Sequence, residues 1–175
     1  MRAMPVKARI PVSLDAADLR ILAVLQEDGL LSVAAVSERV NLSHNACWRR
    51  IKRLEEEGVI KRRVALLDAA AIGVGVTVFV HVRTSDHSEE WFQSFARAVQ
   101  DLPEVVEFYR MSGDVDYLLK LQVASIADYD EVYKRLVRRV RLTDVTSAFA
   151  MEEVKHTTAV PLPLANSSDR RDESV

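Results

Sequence analysis

The sequence predicts an α+β chain of two domains, an N-terminal winged helix-turn-helix domain followed by a ferredoxin-like βαββαβ domain. Three observations predict it. Residues 33–60 read as a short helix, a tight turn and a second helix whose apolar residues recur at helical spacing. From residue 75 onward, period-2 alternation switches on and off around two further helical stretches, in the order β-α-β-β-α-β. Charge divides along the same line: up to Asp68 the chain holds 12 Lys/Arg against 9 Asp/Glu, whereas the remainder holds 12 against 17. The 175 residues suit two compact domains, with boundaries expected at 1–13 (disordered arm), 14–67 (helix-turn-helix), 68–74 (hinge), 75–160 (βαββαβ) and 161–175 (disordered tail).

The first helix is expected from Leu14 to Asp28, with Asp15 near its start and Leu19, Leu22 and Leu25/Gln26 spaced for packing. Val33, Val36 and Val40 form the buried side of the second helix, and Asn41-Leu42 turns the chain. Ser43 stands where its hydroxyl can accept the free N–H groups of the third helix. Along that helix Cys47, Ile51 and Leu54 form one apolar stripe, while Asn45, Arg49, Lys52 and Glu56 face the other way, flanked by Trp48 and Arg53. After Gly58, VIKRRVALLD alternates into an expected short strand, a wing whose start carries Lys61, Arg62 and Arg63.

In the second domain GVTVFVHVR (75–83) is the first strand, with Val76, Val78, Val80 and Val82 on one side and Thr77, Phe79 and His81 on the other. Ser88 caps a helix to Gln100 with Trp91, Phe92, Phe95 and Val99 inward, and Leu102-Pro103 stops it. Strands follow at Val105–Met111, with Val106 and Phe108 opposite Tyr109 and Met111, and at Tyr117–Val123. Ser125 caps the next helix, whose stripe is Tyr129, Tyr133, Leu136 and Val140, and Val145–Glu153 is the last strand. With both helices on one face, the other sheet face is expected to be apolar and to need a cover. Self-association supplies one.

A helix with an apolar back and an Asn/Arg/Lys front has the chemistry for major-groove reading. Arg bonds guanine, Asn bonds adenine, and spare cations neutralise phosphate. Double-stranded DNA is therefore the expected partner. Ser43 to Arg53 are expected in the major groove, with Ser43 among the DNA-contacting residues, Asn45 and Arg49, with His44 and Trp48, at bases, and Arg50, Lys52, Arg53, Lys61, Arg62 and Arg63 at phosphates. A dimer would set two reading helices one turn of DNA apart. Between strands two and three, MSGDVDY (111–117) places a conformationally free Gly113 beside Asp114 and Asp116. This could cradle the carboxylate and amine of an amino acid, and it equally makes an ordinary polar turn.

Other classes are disfavoured. His44, His81, His87 and His156 have no metal-ligand spacing, no phosphate-binding glycine loop is present, and the lone Cys47 sits on the buried stripe, so neither catalysis, metal nor cofactor is expected. No apolar run of membrane-spanning length and no signal peptide is seen, which predicts a cytoplasmic protein. A general chromosome-organising protein remains the alternative, distinguished by weak sequence preference and no ligand response.

The segments SLDAADLRILAVLQEDG, NLSHNACWRRIKRLEEEGVIKRRVALLD, LPEVVEFYRMSGDVDYLLKLQV and SAFAMEEVKHTTAVPL, covering residues 14–164, resemble the Lrp/AsnC (feast/famine) transcription regulators. The resemblance implies dimers formed through the sheets, assembly to tetramers or octamers, and an amino-acid effector held near the G-D-x-D-Y turn. Carried over, that turn is Gly113, Asp114, Asp116 and Tyr117, with Met111 and Ser112 beside it and Thr146 and Ser147 on the last strand. NACWRRIKRLEEEGVI, HSEEWF, FYRMSGDVDYLL, YDEVYKRLV and DVTSAFAMEEVKHTT are most similar to the cysteine-responsive subgroup, which implies cysteine as effector. Two departures limit the transfer. Ser43-His44-Asn45-Ala46-Cys47 replaces the common S-P-T-P/x-C start of the reading helix, so base preference does not carry over. Thr146-Ser147-Ala148-Phe149-Ala150 lacks the bulkier residues of the leucine-responsive type, so leucine does not either.

Overall fold

The computed structural model describes residues 11–163. Of the predicted arm (1–13) and tail (161–175), residues 1–10 and 164–175 lie outside the described residues. Among the described residues two units emerge, one built of residues 66–154 and the other of residues 11–65 together with 155–163.

The N-terminal unit contains α1 (Ala16–Glu27), α2 (Val33–Val40) and α3 (His44–Glu56). Each start is set by a side chain accepting an otherwise orphaned helix N–H. Asp15 takes Asp18 N–H in a reciprocal capping box, Ser32 takes Ala35 N–H and Ser43 takes Ala46 N–H. Asn41 ends α2 in the left-handed region at φ 54°, a conformation Asn tolerates better than most residues. Ile21, Leu22, Val36, Val40, Cys47, Ile51 and Leu54 form the core. The predicted strand after Gly58 does not form. Residues 61–68 are exposed and carry neither helix nor strand, because a strand needs a neighbour for its backbone groups and none lies beside this segment among the described residues.

One assignment changes. Residues 155–163, expected to divide between the second domain and the tail, belong with the N-terminal unit. Leu162 packs on its core. The Gln26 side-chain amide pairs with the main chain of Val160 in both directions, Nε2 donating to the carbonyl at 3.2 Å and Oε1 accepting the N–H at 2.7 Å.

The second unit begins with a closed turn where a hinge was expected. Asp68 accepts the N–H groups of Ala70 and Ala71, and Gly73 turns the chain at φ 81°. Then follow β1 (Val76–Arg83), α4 (Glu89–Gln100), β2 (Val105–Arg110), β3 (Tyr117–Val123), α5 (Ile126–Val137) and β4 (Asp144–Phe149). The strands form an antiparallel sheet in the order β2-β3-β1-β4. Val78, Val80 and Val82 of β1 and Tyr117, Leu119, Leu121 and Val123 of β3 are buried with Trp91, Phe95 and Val99 of α4 and Val132 and Leu136 of α5. Burying one such side chain fully contributes about 1.5–3 kcal/mol.

Three expectations shift here. Val132 takes the buried place on α5 that was assigned to Tyr133, whose ring instead lies 6.3 Å from that of Tyr129. On edge strand β2 a register shift between Val105 and Glu107 leaves Val105 and Phe108 on the core and Val106 exposed. The uncovered face is also less apolar than alternation suggested. Beside Phe79 and Leu118 it carries Lys120 paired with Glu107 at 3.3 Å and Gln122 bonded to Thr77 at 3.1 Å.

Candidate DNA-reading helix and effector turn

The reading helix is α3. Cys47 is fully buried, and burial pushes its thiol pKa up, which suits packing rather than reactivity. The opposite face presents His44, Asn45, Arg49 and Lys52, all exposed. Trp48 is 48% exposed, with the Lys52 ammonium 5.3 Å from its ring centroid. Ser43 sits at the N-cap, its hydroxyl occupied by Ala46 N–H at 3.3 Å. Asn45 and Arg49 therefore project from a helix whose start is locally fixed.

The other cations are not all alike. Arg50 donates through Nη1 to Asp15 at 2.7 Å and to Asp18 at 2.8 Å, and Arg53 donates to the second Asp18 oxygen at 2.5 Å. The Asp18 carboxylate is 1% exposed, so it holds two guanidinium groups of α3 from inside the unit. Arg50 and Arg53, expected simply as phosphate holders, are thus also the struts fastening α3 to α1. Arg63 meets Glu55 at 3.1 Å and Lys52 meets Glu56 at 3.7 Å, while Lys61 and Arg62 are exposed. Sequence reasoning missed Asp18. Its signal was an acid on the same stripe as Ile21, Leu22 and Leu25, four residues below Leu22, where a charge survives only if paired.

The turn between β2 and β3 is held from beneath. Gly113 has φ 102°, where a side chain would be strained. Met111 N–H donates to the Asp116 carbonyl at 2.8 Å, and Asp116 N–H to the Val82 carbonyl at 3.1 Å. The Asp116 carboxylate accepts Thr84 N–H at 2.8 Å, with His87 Nδ1 4.0 Å away. Arg83, which sequence reasoning did not single out, donates through Nε to the Asp114 carbonyl at 2.7 Å and lies 3.7 Å from Asp144, so it ties the turn to the start of β4.

The eight candidate effector residues accordingly separate. Met111, Ser112, Gly113 and Asp114 form an exposed hairpin tip. Asp116 is engaged with β1. Tyr117 is 3% exposed, its ring 5.2 Å from Phe95 and 5.7 Å from Trp91, and desolvation raises its pKa. Its ring supports the turn from the core. Thr146 pairs with His81 across the sheet, and the neighbouring Ser147 points to the opposite face, where its hydroxyl is hydrogen-bonded to that of Tyr129. No group of His, Cys, Asp and Glu among the described residues could hold a metal ion, and no helix is long and apolar enough to cross a membrane.

Comparison with known proteins matches both units. A winged helix-turn-helix DNA-binding profile covers residues 14–61, and the Lrp/AsnC ligand binding domain profile covers 77–160. The glutamate uptake regulatory protein of Zymomonas mobilis is 55% identical over 162 residues, covering 93% of this chain and 98% of that protein. The DNA-binding transcriptional activator DecR of Escherichia coli is 51% identical over 150 residues, covering 85% and 99%. Among solved structures, an AsnC family regulator from Agrobacterium tumefaciens is 55% identical with a TM-score of 0.82, over 85% of this chain and 97% of that one. A Neisseria meningitidis transcriptional regulator in complex with L-Met is 35% identical with a TM-score of 0.82, over 86% and 98%. Both domains match in order and relatives match along nearly their whole length, so this chain belongs to the Lrp/AsnC family and is a DNA-binding transcription regulator with an amino-acid effector domain, not an enzyme.

Proposed function

We propose that a dimer of this chain places α3 of each subunit in successive major grooves, and that a small amino acid, cysteine first, biases the assembly by binding at the 111–117 turn. The observation that carries the reading is the exposed Asn45–Arg49 pair on a helix held rigidly by its buried side and by Asp18. With His44 and Trp48 alongside, these residues contact bases. Ser43 fixes the first turn, Lys52, Lys61, Arg62 and Arg63 meet phosphate, and Arg50 and Arg53 offer phosphate whatever hydrogen-bonding capacity their acids leave. Two copies meet through the open sheet face, where Phe79 and Leu118 supply apolar area and the Lys120–Glu107 pair a polar register. Dimers then assemble further to tetramers or octamers.

The effector assignment rests on the hairpin and on sulfur chemistry. Ser112 and Gly113 are exposed, Asp114 offers a carboxylate to an ammonium, and Thr146 lies on the adjoining end of the sheet. Small Ala148 suits a short side chain. The Neisseria relative carries methionine, another sulfur amino acid. The name of the Zymomonas relative makes glutamate the necessary comparator. The test is thermal unfolding of the reduced protein against all twenty amino acids. A ligand at about 100 times its Kd adds about 2.7 kcal/mol to stability. A selective shift with cysteine supports the proposal. A shift with methionine or glutamate alone, or with none, overturns the cysteine assignment.

A further inference from the structure

The ion-pair cluster at the root of α3 pairs two acids with Arg50 and one with Arg53. Asp18 pairs with both arginines, one oxygen to Arg50 and the other to Arg53, and leaves Arg53 Nε without a hydrogen-bond partner. Asp15 adds a second carboxylate to Arg50, through the same Nη1 atom, and is itself 55% exposed. With Ala46, Arg49, Arg50 and Arg53 it lines an open cleft. Three guanidinium groups around one cleft supply the charge and N–H donors that a phosphate oxygen would need, and the Asp15 carboxylate among them already engages one, Arg50.

We propose that Asp15 is a specificity-determining residue that competes with backbone phosphate for Arg50 and so lowers sequence-independent DNA binding. Random DNA is held almost wholly by phosphate contacts, so a built-in competitor for one contact weakens it in full. On a cognate site, base contacts by α3 press the backbone into the cleft and Asp15 yields. Its carboxylate is in the ionised form this role requires, since the backbone N–H of Asp18, and then Arg50, lower its pKa. The competition therefore persists throughout the neutral range.

The proposal rests on α3 being the DNA-reading helix, and the experiment separates the two. Asp15→Asn removes the charge while keeping an oxygen for the α1 cap, a position where Asn and Asp are equivalent. Asp15→Ser, a second capping residue, repeats the test without the amide. Binding is measured by fluorescence anisotropy at several salt concentrations, on a duplex selected from a random pool by the wild-type protein and on a scrambled duplex of the same length. Both variants are expected to bind the scrambled duplex roughly five- to ten-fold tighter near 0.1 M salt and to steepen its log–log salt slope by about 0.9, the release of one further counterion. The selected duplex should gain less, so discrimination falls. A merely structural Asp15 would not steepen the slope. In Asp15→Asn/Arg50→Gln the gain should vanish. An unchanged or weaker scrambled-duplex affinity, or a gain surviving the second substitution, overturns the competition while leaving the reading helix standing. Failure of the wild-type protein to select any sequence overturns both.

Discussion

Two carboxylates in the 111–117 turn, two residues apart in sequence, do different work. The Asp116 side chain accepts the N–H of Thr84, a residue only 8% exposed. Truncation to alanine strands that donor at an expected cost of about 1–3 kcal/mol. Asp114 engages Arg83 through its backbone carbonyl, which truncation leaves in place, and its side chain is exposed. Asp114→Ala should therefore stay within about 0.5 kcal/mol of the parent in urea unfolding and abolish the thermal shift given by the amino-acid ligand. Asp116→Ala should lose stability whether or not ligand is present. Equal destabilisation by both substitutions would make the whole turn structural and remove Asp114 from the effector site.

On α3, the proposed contacts divide by position along the helix. Arg49 lies on the exposed face two positions past the buried Cys47, whereas Lys52 leans on Trp48 and towards Glu56. Arg49→Ala should cost about 1–3 kcal/mol on the selected duplex and relax the preference at one base pair, while Lys52→Ala should weaken selected and scrambled duplexes alike. Equal losses on both duplexes from both substitutions would dissolve the division. Much of this element was legible in the sequence, because a helix declares itself through a local period and a local cap. Ser43, Ser88 and Ser125 each cap the helix expected of them. The misreadings share a different cause, dependence on a partner distant in sequence. Lys61 to Asp68 alternate like a strand but have none beside them, and the bulge that turns Val106 outward is set by the register against β3. Asp18 went unremarked because its two cations lie 32 and 35 residues ahead. At the effector turn the glycine and acids were readable. That Tyr117 belongs to the aromatic core and that Arg83 braces the turn were not, since both follow from strand pairing.

At the scale of the molecule, the chain passes between the two units twice, once near residue 65 and again near 154. The returning strand of chain is bound to the N-terminal unit by its own chemistry, Leu162 on the helical core and Gln26 bonded twice to Val160. Residues 155–163 thus pack with the N-terminal unit, although they follow β4, lie nearly a hundred residues beyond α3 and, up to residue 160, fall within the ligand-binding profile. Leu162→Ala removes roughly three methylene equivalents, each about 0.8 kcal/mol when fully buried. The residue is only partly buried, so a loss of about 1 kcal/mol is expected. Because the two units have separate cores, that loss should be local. Hydrogen exchange should quicken in α1, α2 and α3 and remain at the parental rate in β1, β3 and α4. Gln26→Ala should act in the same direction and more weakly, since its bonds to Val160 are exposed and each contributes near the lower end of about 0.5–1.5 kcal/mol. Faster exchange in the sheet with unchanged α1 would return the segment to the effector domain.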